Sequence, residues 1–100
     1  MALEIREDRG VLELYGKVTS ENLGAIRIYF DSVLELAEVL IISLEGISEM
    51  DSSAAYFFEE LYRKGAEQNR IVSIIGRQNI AIEDVMKITK THYILSADRV

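Results

Sequence analysis

Apolar and polar residues alternate from the start of the chain, with Leu3 and Ile5 set against Glu4 and Arg6. A period of two predicts a half-buried strand. The polar run Glu7-Asp8-Arg9-Gly10 predicts a turn, and Gly10 is free to take positive φ there. Val11 to Tyr15 resumes the alternation with Leu12 and Leu14 on one face, so the two strands form a hairpin. The period then changes. Leu23, Ile26, Phe30, Val33 and Leu34 make one helical stripe. Thr19 or Ser20 is the expected cap of that helix, with Glu21 in its first turn, where the dipole favours an acid.

The run Val39-Leu40-Ile41-Ile42 is β-branched-rich and too short for a helix, which predicts a strand buried on both faces, as in parallel sheets. Gly46 breaks the pattern, and a loop is expected to lead to Asp51-Ser52-Ser53. A second helix follows with Ala55, Phe58, Leu61, Tyr62 and Ala66 facing inward. Ile71 to Ile75 reads as another buried strand, ended by Gly76. Asn79 is placed to cap a third helix burying Ile82, Val85, Met86 and Ile88. Tyr93-Ile94-Leu95 reads as a last short edge strand. Strands alternating with amphipathic helices give an α/β class. The expectation is a single domain over residues 1–100. Its mixed, mostly parallel sheet would have about four or five strands and three or four helices, with an antiparallel N-terminal edge strand.

Composition removes several functions. The chain has 100 residues, enough for one self-sufficient core. It has no cysteine, so neither a disulfide framework nor a thiolate zinc site is available, which fits a reducing, cytoplasmic setting. The longest apolar run, Ala54 to Phe58, is far short of a membrane span, and Met1 to Ile5 does not read as a signal segment. The formal net charge of -6 argues against nucleic acid as a partner. That charge is uneven: residues 28–62 hold eight acids and no base.

Few residues can carry chemistry. His92 is the lone histidine, and nothing in the spacing brings it to Ser52 or Ser53 for a nucleophilic triad. Met50, Met86 and the aromatic residues read as core. The six glycines form no phosphate loop. Glu45, Glu49 and Asp51 share one segment but match no calcium loop, and a solvated acidic loop is the simpler reading. The informative stretch is Leu44 to Ser53, which runs from the end of a strand into a helix. Open α/β sheets place working residues at that edge. Asp and Ser there can be plain N-caps. A serine in the first turn can also hold a phosphate, since free N–H groups and the dipole favour an anion.

Ile41 to Ser53, with Asp51-Ser52-Ser53 opening a helix, resembles the STAS domain family, typified by bacterial anti-sigma-factor antagonists. Leu14-Tyr15-Gly16-Lys17-Val18-Thr19 is similar to the family's second-strand ending, and Gly76 to Thr89 to its glycine-ended strand and helix. The likeness spans residues 3–96. It implies a non-enzymatic switch without a cofactor. Ser52 would be phosphorylated by an anti-sigma factor acting as a serine kinase, phosphorylation would block binding, and a phosphatase would reverse it. The implied partner-binding residues are Gly16, Lys17, Thr19, Asp51, Ser52, Ser53 and Ala54, in a monomer or weak dimer that enters neither membrane nor nucleic-acid complexes. The family usually has acids at the positions of Lys17 and Thr19, glycine and leucine at Ala54 and Ala55, and glycine near Lys90. Lys17, Thr19 and Ala54 motivate an alternative, an unphosphorylated accessory subunit of a membrane transporter such as a lipid-trafficking ABC system. A third reading is an enzyme using the acidic loop and a metal.

Overall fold

A computed structural model describes residues 3–96. Four strands lie in sequence order across one sheet: β1 (Glu4–Asp8), β2 (Val11–Val18), β3 (Val39–Met50) and β4 (Ile71–Ile75). β1 is antiparallel to β2, and the other two pairings are parallel. The helices are α1 (Leu23–Leu36), α2 (Ser52–Glu67) and α3 (Ile80–Ile88), followed by a 3-10 turn at His92–Ile94. The predicted hairpin forms with Arg9 and Gly10 as its two loop residues, both at positive φ (55° and 84°). Such a turn matches the strands' own right-handed twist.

One face of the sheet holds the core. Leu14, Leu40, Ile42, Leu44, Val72 and Ile74 are buried in one cluster with Ile26, Phe30 and Leu34 of α1, Phe57, Phe58 and Leu61 of α2, and Ile82 and Met86 of α3. The helical stripes read from the sequence supply these contacts. The expectation that β3 and β4 are covered on both faces is not met. Their alternate residues look outward: Val39 and Ile71 are exposed, and Ile41, Ser43 and Ile75 are half-buried. A run of four branched apolar residues looks the same whether one face is covered or two, because only the environment distinguishes them.

β3 is also much longer than expected, and Gly46 lies inside it. Its buried residues fall at Leu40, Ile42, Leu44, Ile47 and Met50, so the step of two becomes a step of three twice. The register with β2 shows why. Glu13 faces Ser43 and Tyr15 faces Gly46; Gly16 faces Ile47 and Lys17 faces Glu49. Each interval inserts one extra residue into β3, a bulge that resets which side chains point inward. Gly46 is required at the first bulge. A Cβ there would lie 2.7 Å from the Leu14 carbonyl oxygen and run into the Tyr15 ring.

Four further expectations change. Ile88 is exposed, and Thr89 takes the buried position beyond Met86. Ala66 is exposed, and its neighbour Gly65 meets β4 instead, where a side chain would strike Val72. Neither Thr19 nor Ser20 caps α1; the helix starts after Asn22. Residues 93–95 form no edge strand. The end of α3 explains the last point: Lys90 sits at φ 62°, while Lys90 N–H and Thr91 N–H donate to the carbonyls of Lys87 and Met86 at 3.1 and 2.9 Å. This Schellman closure reverses the chain, and the 3-10 turn follows. Leu95 comes alongside β4 in a single parallel bridge to Ile74, and Ser96 N–H donates to the Ile74 carbonyl at 2.7 Å.

Candidate functional site

Because β2, β3 and β4 run parallel, their C-terminal ends share one edge, where the chain enters α1, α2 and α3. The loops at this edge are joined by side chain to backbone hydrogen bonds. Asp51 is central. Its Oδ1 accepts from Ala54 N–H at 2.9 Å and so caps α2. Its Oδ2 accepts from Ser20 N–H at 2.8 Å, fastening the β2–α1 loop to the start of α2. Within that loop Asn22 closes a turn: Oδ1 accepts from Thr19 N–H at 3.0 Å, and Nδ2 donates to the Lys17 carbonyl at 2.8 Å. With its side chain committed there, Asn22 gives α1 no side-chain cap.

The third loop is held from the other side of β3. Asn79 caps α3 through Ala81 N–H at 2.9 Å, as its position in the sequence predicts. Its Nδ2 also donates to the carbonyls of Leu44 and Ile47, both at 2.8 Å. Those carbonyls flank the first bulge, where strand pairing is interrupted, so one amide satisfies both and locks α3 against β3. Gln78 N–H adds a bond to Glu45 Oε2 at 3.3 Å.

The residues singled out from the sequence divide by exposure. Ser52 and Ser53 are exposed at the first two positions of α2. Neither hydroxyl has a hydrogen-bond partner among the described residues, and their N–H groups precede the first intrahelical bonds. Lys17 is exposed, with Nζ 3.5 Å from Glu49 Oε1. Thr19 and Asp51 are half-buried. Lys17, Thr19, Ser20, Glu21, Asn22, Glu49 and Asp51 together line an open cleft of about 550 Å³. Gly16 and Ala54 are different: both are buried, Gly16 at φ 108° inside β2 and Ala54 beneath the first turn of α2. They shape the edge without presenting a side chain. The role of Asn22, and the bonds from Asn79 to β3 beyond its cap, are what the sequence concealed at this edge. Asn22 sits in a turn-forming Thr-Ser-Glu-Asn run, which is the one local signal available.

The acidic residues do not converge. Glu45 is bound to Gln78 N–H, Glu49 faces Lys17, and Asp51 turns to Ser20 and Ala54. Among the described residues no three metal-ligating side chains gather. His92 lies in the 3-10 turn beyond α3 and does not line the cleft. No helix among the described residues is long and apolar enough to cross a membrane.

This arrangement, a mostly parallel four-stranded sheet with its helices on one face and Asp-Ser-Ser opening α2, defines a small α/β domain. The family model for the STAS domain matches residues 1–96, and the chain belongs to that family. Its fold is similar to the crystal structure of an anti-sigma factor antagonist from Mycobacterium paratuberculosis. That likeness has a TM-score of 0.74 at 14% identity and covers 94% of this chain and 81% of that one. It is also similar to the anti-sigma factor antagonist SpoIIAA in its unphosphorylated form, with a TM-score of 0.71, 14% identity, and coverage of 95% and 86%. A likeness to the structure of Mglu has a TM-score of 0.61 at 12% identity, over 77% of this chain but 20% of the other. No curated protein matches the chain in sequence.

Proposed function

We propose that the protein is a phosphorylation-controlled binding domain of the anti-sigma-factor-antagonist kind, with Ser52 as its switch. The observation that carries this reading is a division of labour at the start of α2. Asp51 caps the helix, which leaves the Ser52 hydroxyl exposed and unbonded. A phosphate can therefore be added without removing a cap. It would meet the free N–H groups of Ser52 and Ser53 and the positive end of the helix dipole. It would also add a charge of roughly -1.5 to -2 beside Asp51 and Glu49. A partner surface fitted to the unmodified edge would then face a dianion that it must desolvate or repel. The partner is an anti-sigma factor acting as serine kinase, and a phosphatase resets the switch.

The test is incubation with the host's anti-sigma-factor kinase and ATP, followed by peptide mass spectrometry. A single phosphate on Ser52, absent in Ser52→Ala, is expected. Phosphate on another residue, or on none, would remove Ser52 from this role. The transporter-subunit reading keeps two supports, the outward-facing Lys17, paired with Glu49, and Thr19, which lines the same cleft. Ala54 no longer favours it, because its side chain is fully buried and meets no partner. A pull-down that recovered an ATPase subunit instead of a kinase would make that reading the better one.

A further inference from the structure

Helix α2 turns Ala54, Ala55, Phe57, Phe58, Leu61 and Gly65 to the core. Its exposed side carries small, hydroxyl and charged side chains and one exposed aromatic ring, Tyr56, whose exposure is 51%. The chain has five tyrosines, and the other four are engaged within the fold. Tyr15 carries the Arg6 guanidinium 5.0 Å above its ring and donates its hydroxyl to Glu13. Tyr29 packs edge-on against Phe30 with centroids 5.1 Å apart. Tyr62 and Tyr93 pack edge-on at 6.3 Å, and the Tyr93 hydroxyl donates to Glu59 at 2.7 Å. Tyr56 alone has neither a ring contact nor a hydrogen bond among the described residues.

Its position gives that isolation meaning. Tyr56 follows Ser52 by four residues, so the two Cβ atoms lie on one helix face about 5–6 Å apart. The ring is held outward by a rigid helix, next to the one hydroxyl already argued to be modified. A tyrosine so placed offers a large contact area at small entropic cost, which is the usual character of an interface anchor.

We infer that Tyr56 is the aromatic anchor of the partner interface, and that phosphate on Ser52 acts by spoiling the burial of this ring. The inference rests on the phospho-switch reading above. It specifies the partner's chemistry: a protein surface with a slot for an aromatic ring, whose rim carries no cation able to pair with a phosphate. It also supplies a release mechanism that needs no movement of the fold. Ring and phosphate share one patch, so the slot cannot close over Tyr56 without stripping water from the dianion. Dehydrating an unpaired charge costs far more than burying a ring gains.

The experiment is isothermal titration of the host's anti-sigma-factor kinase, without ATP, against wild type, Tyr56→Ala, Tyr56→Phe, Ser52→Asp and the Ser52→Asp/Tyr56→Ala double variant. Thermal melts by circular dichroism check folding of each. Tyr56→Ala should weaken binding roughly thirtyfold, the effect of a typical anchor, while Tyr56→Phe stays within about threefold. The double variant should lose little beyond either single one, because both act on the same patch. Tyr56→Ala binding like wild type while Ser52→Asp binds weakly would overturn the anchor and leave the phospho-switch standing. Losses that multiply in the double variant would overturn the shared-patch mechanism. Absence of binding by the wild type would overturn the phospho-switch and the anchor with it.

Discussion

Replacing Asp51 and Ser52 one at a time separates structure from switching, because the two neighbours have opposite duties. Asp51→Ala removes the cap of α2, worth about 1 kcal/mol within a range of roughly 0.5–2. It also removes the acceptor for Ser20 N–H, a charge-assisted bond at an exposed position that adds about 1 kcal/mol. The expected loss is therefore about 2 kcal/mol, or roughly 10 °C in melting temperature for a domain of this size. Asp51→Asn keeps one oxygen for the cap but turns an amide NH₂ towards Ser20 N–H, so it should lose only about half as much. Ser52→Ala removes a hydroxyl that bonds nothing, in an exposed helical position, and should change stability by less than about 0.5 kcal/mol. Urea denaturation followed by far-UV circular dichroism reads all three, with an unchanged m-value showing that the unfolding reaction is the same. If Ser52→Ala proved as costly as Asp51→Ala, the serine would be acting as cap. Phosphorylation would then cost the fold a helix terminus, and the division of labour at this site would be wrong.

Two further substitutions test the backbone. Gly46→Ala places a methyl against the Leu14 carbonyl and the Tyr15 ring and should cost about 1–3 kcal/mol by overpacking, read by the same denaturation; a change within 0.5 kcal/mol would mean the first bulge can shift at little cost. Lys90→Gly relieves a left-handed residue at the Schellman closure and should stabilise by about 0.5–1 kcal/mol, while a loss would mean that the lysine side chain holds the turn.

The helices were legible because spacing alone decides which side of a helix is apolar. Ile26, Phe30 and Leu34 take the buried positions that their offsets predict, as do Phe58 and Leu61. Element ends were less legible, because bonds between residues far apart in sequence set them. Thr19 and Ser20 have the chemistry of caps, yet Asp51, thirty-one positions after Ser20, takes the Ser20 amide, and Asn22 takes the Thr19 amide. The α2 cap and the α3 cap were readable, since Asp51 and Asn79 act on residues three and two places ahead, respectively. The acidic stretch 28–62 shows the same limit in charge. Asp31, Glu49, Glu59 and Glu60 are paired with Lys64, Lys17, Arg63 and Arg27, bases that lie outside it. Half of its eight acids are thus countered in the fold, and a partner meets a milder field than the linear count implies.

The two bulges of β3 make that strand a counting device. Each residue advances a strand by about 3.3 Å, more than the 2.8 Å span of the Asp51–Ser20 hydrogen bond. Deleting a single residue between Gly46 and Met50 would thus pull Asp51 out of reach of Ser20 and turn Met50 towards solvent. Point substitutions in this segment can drift freely at Ser48, which faces outward, but its length cannot. Among related chains, the number of residues from the first bulge to the switch serine should vary less than their identities do.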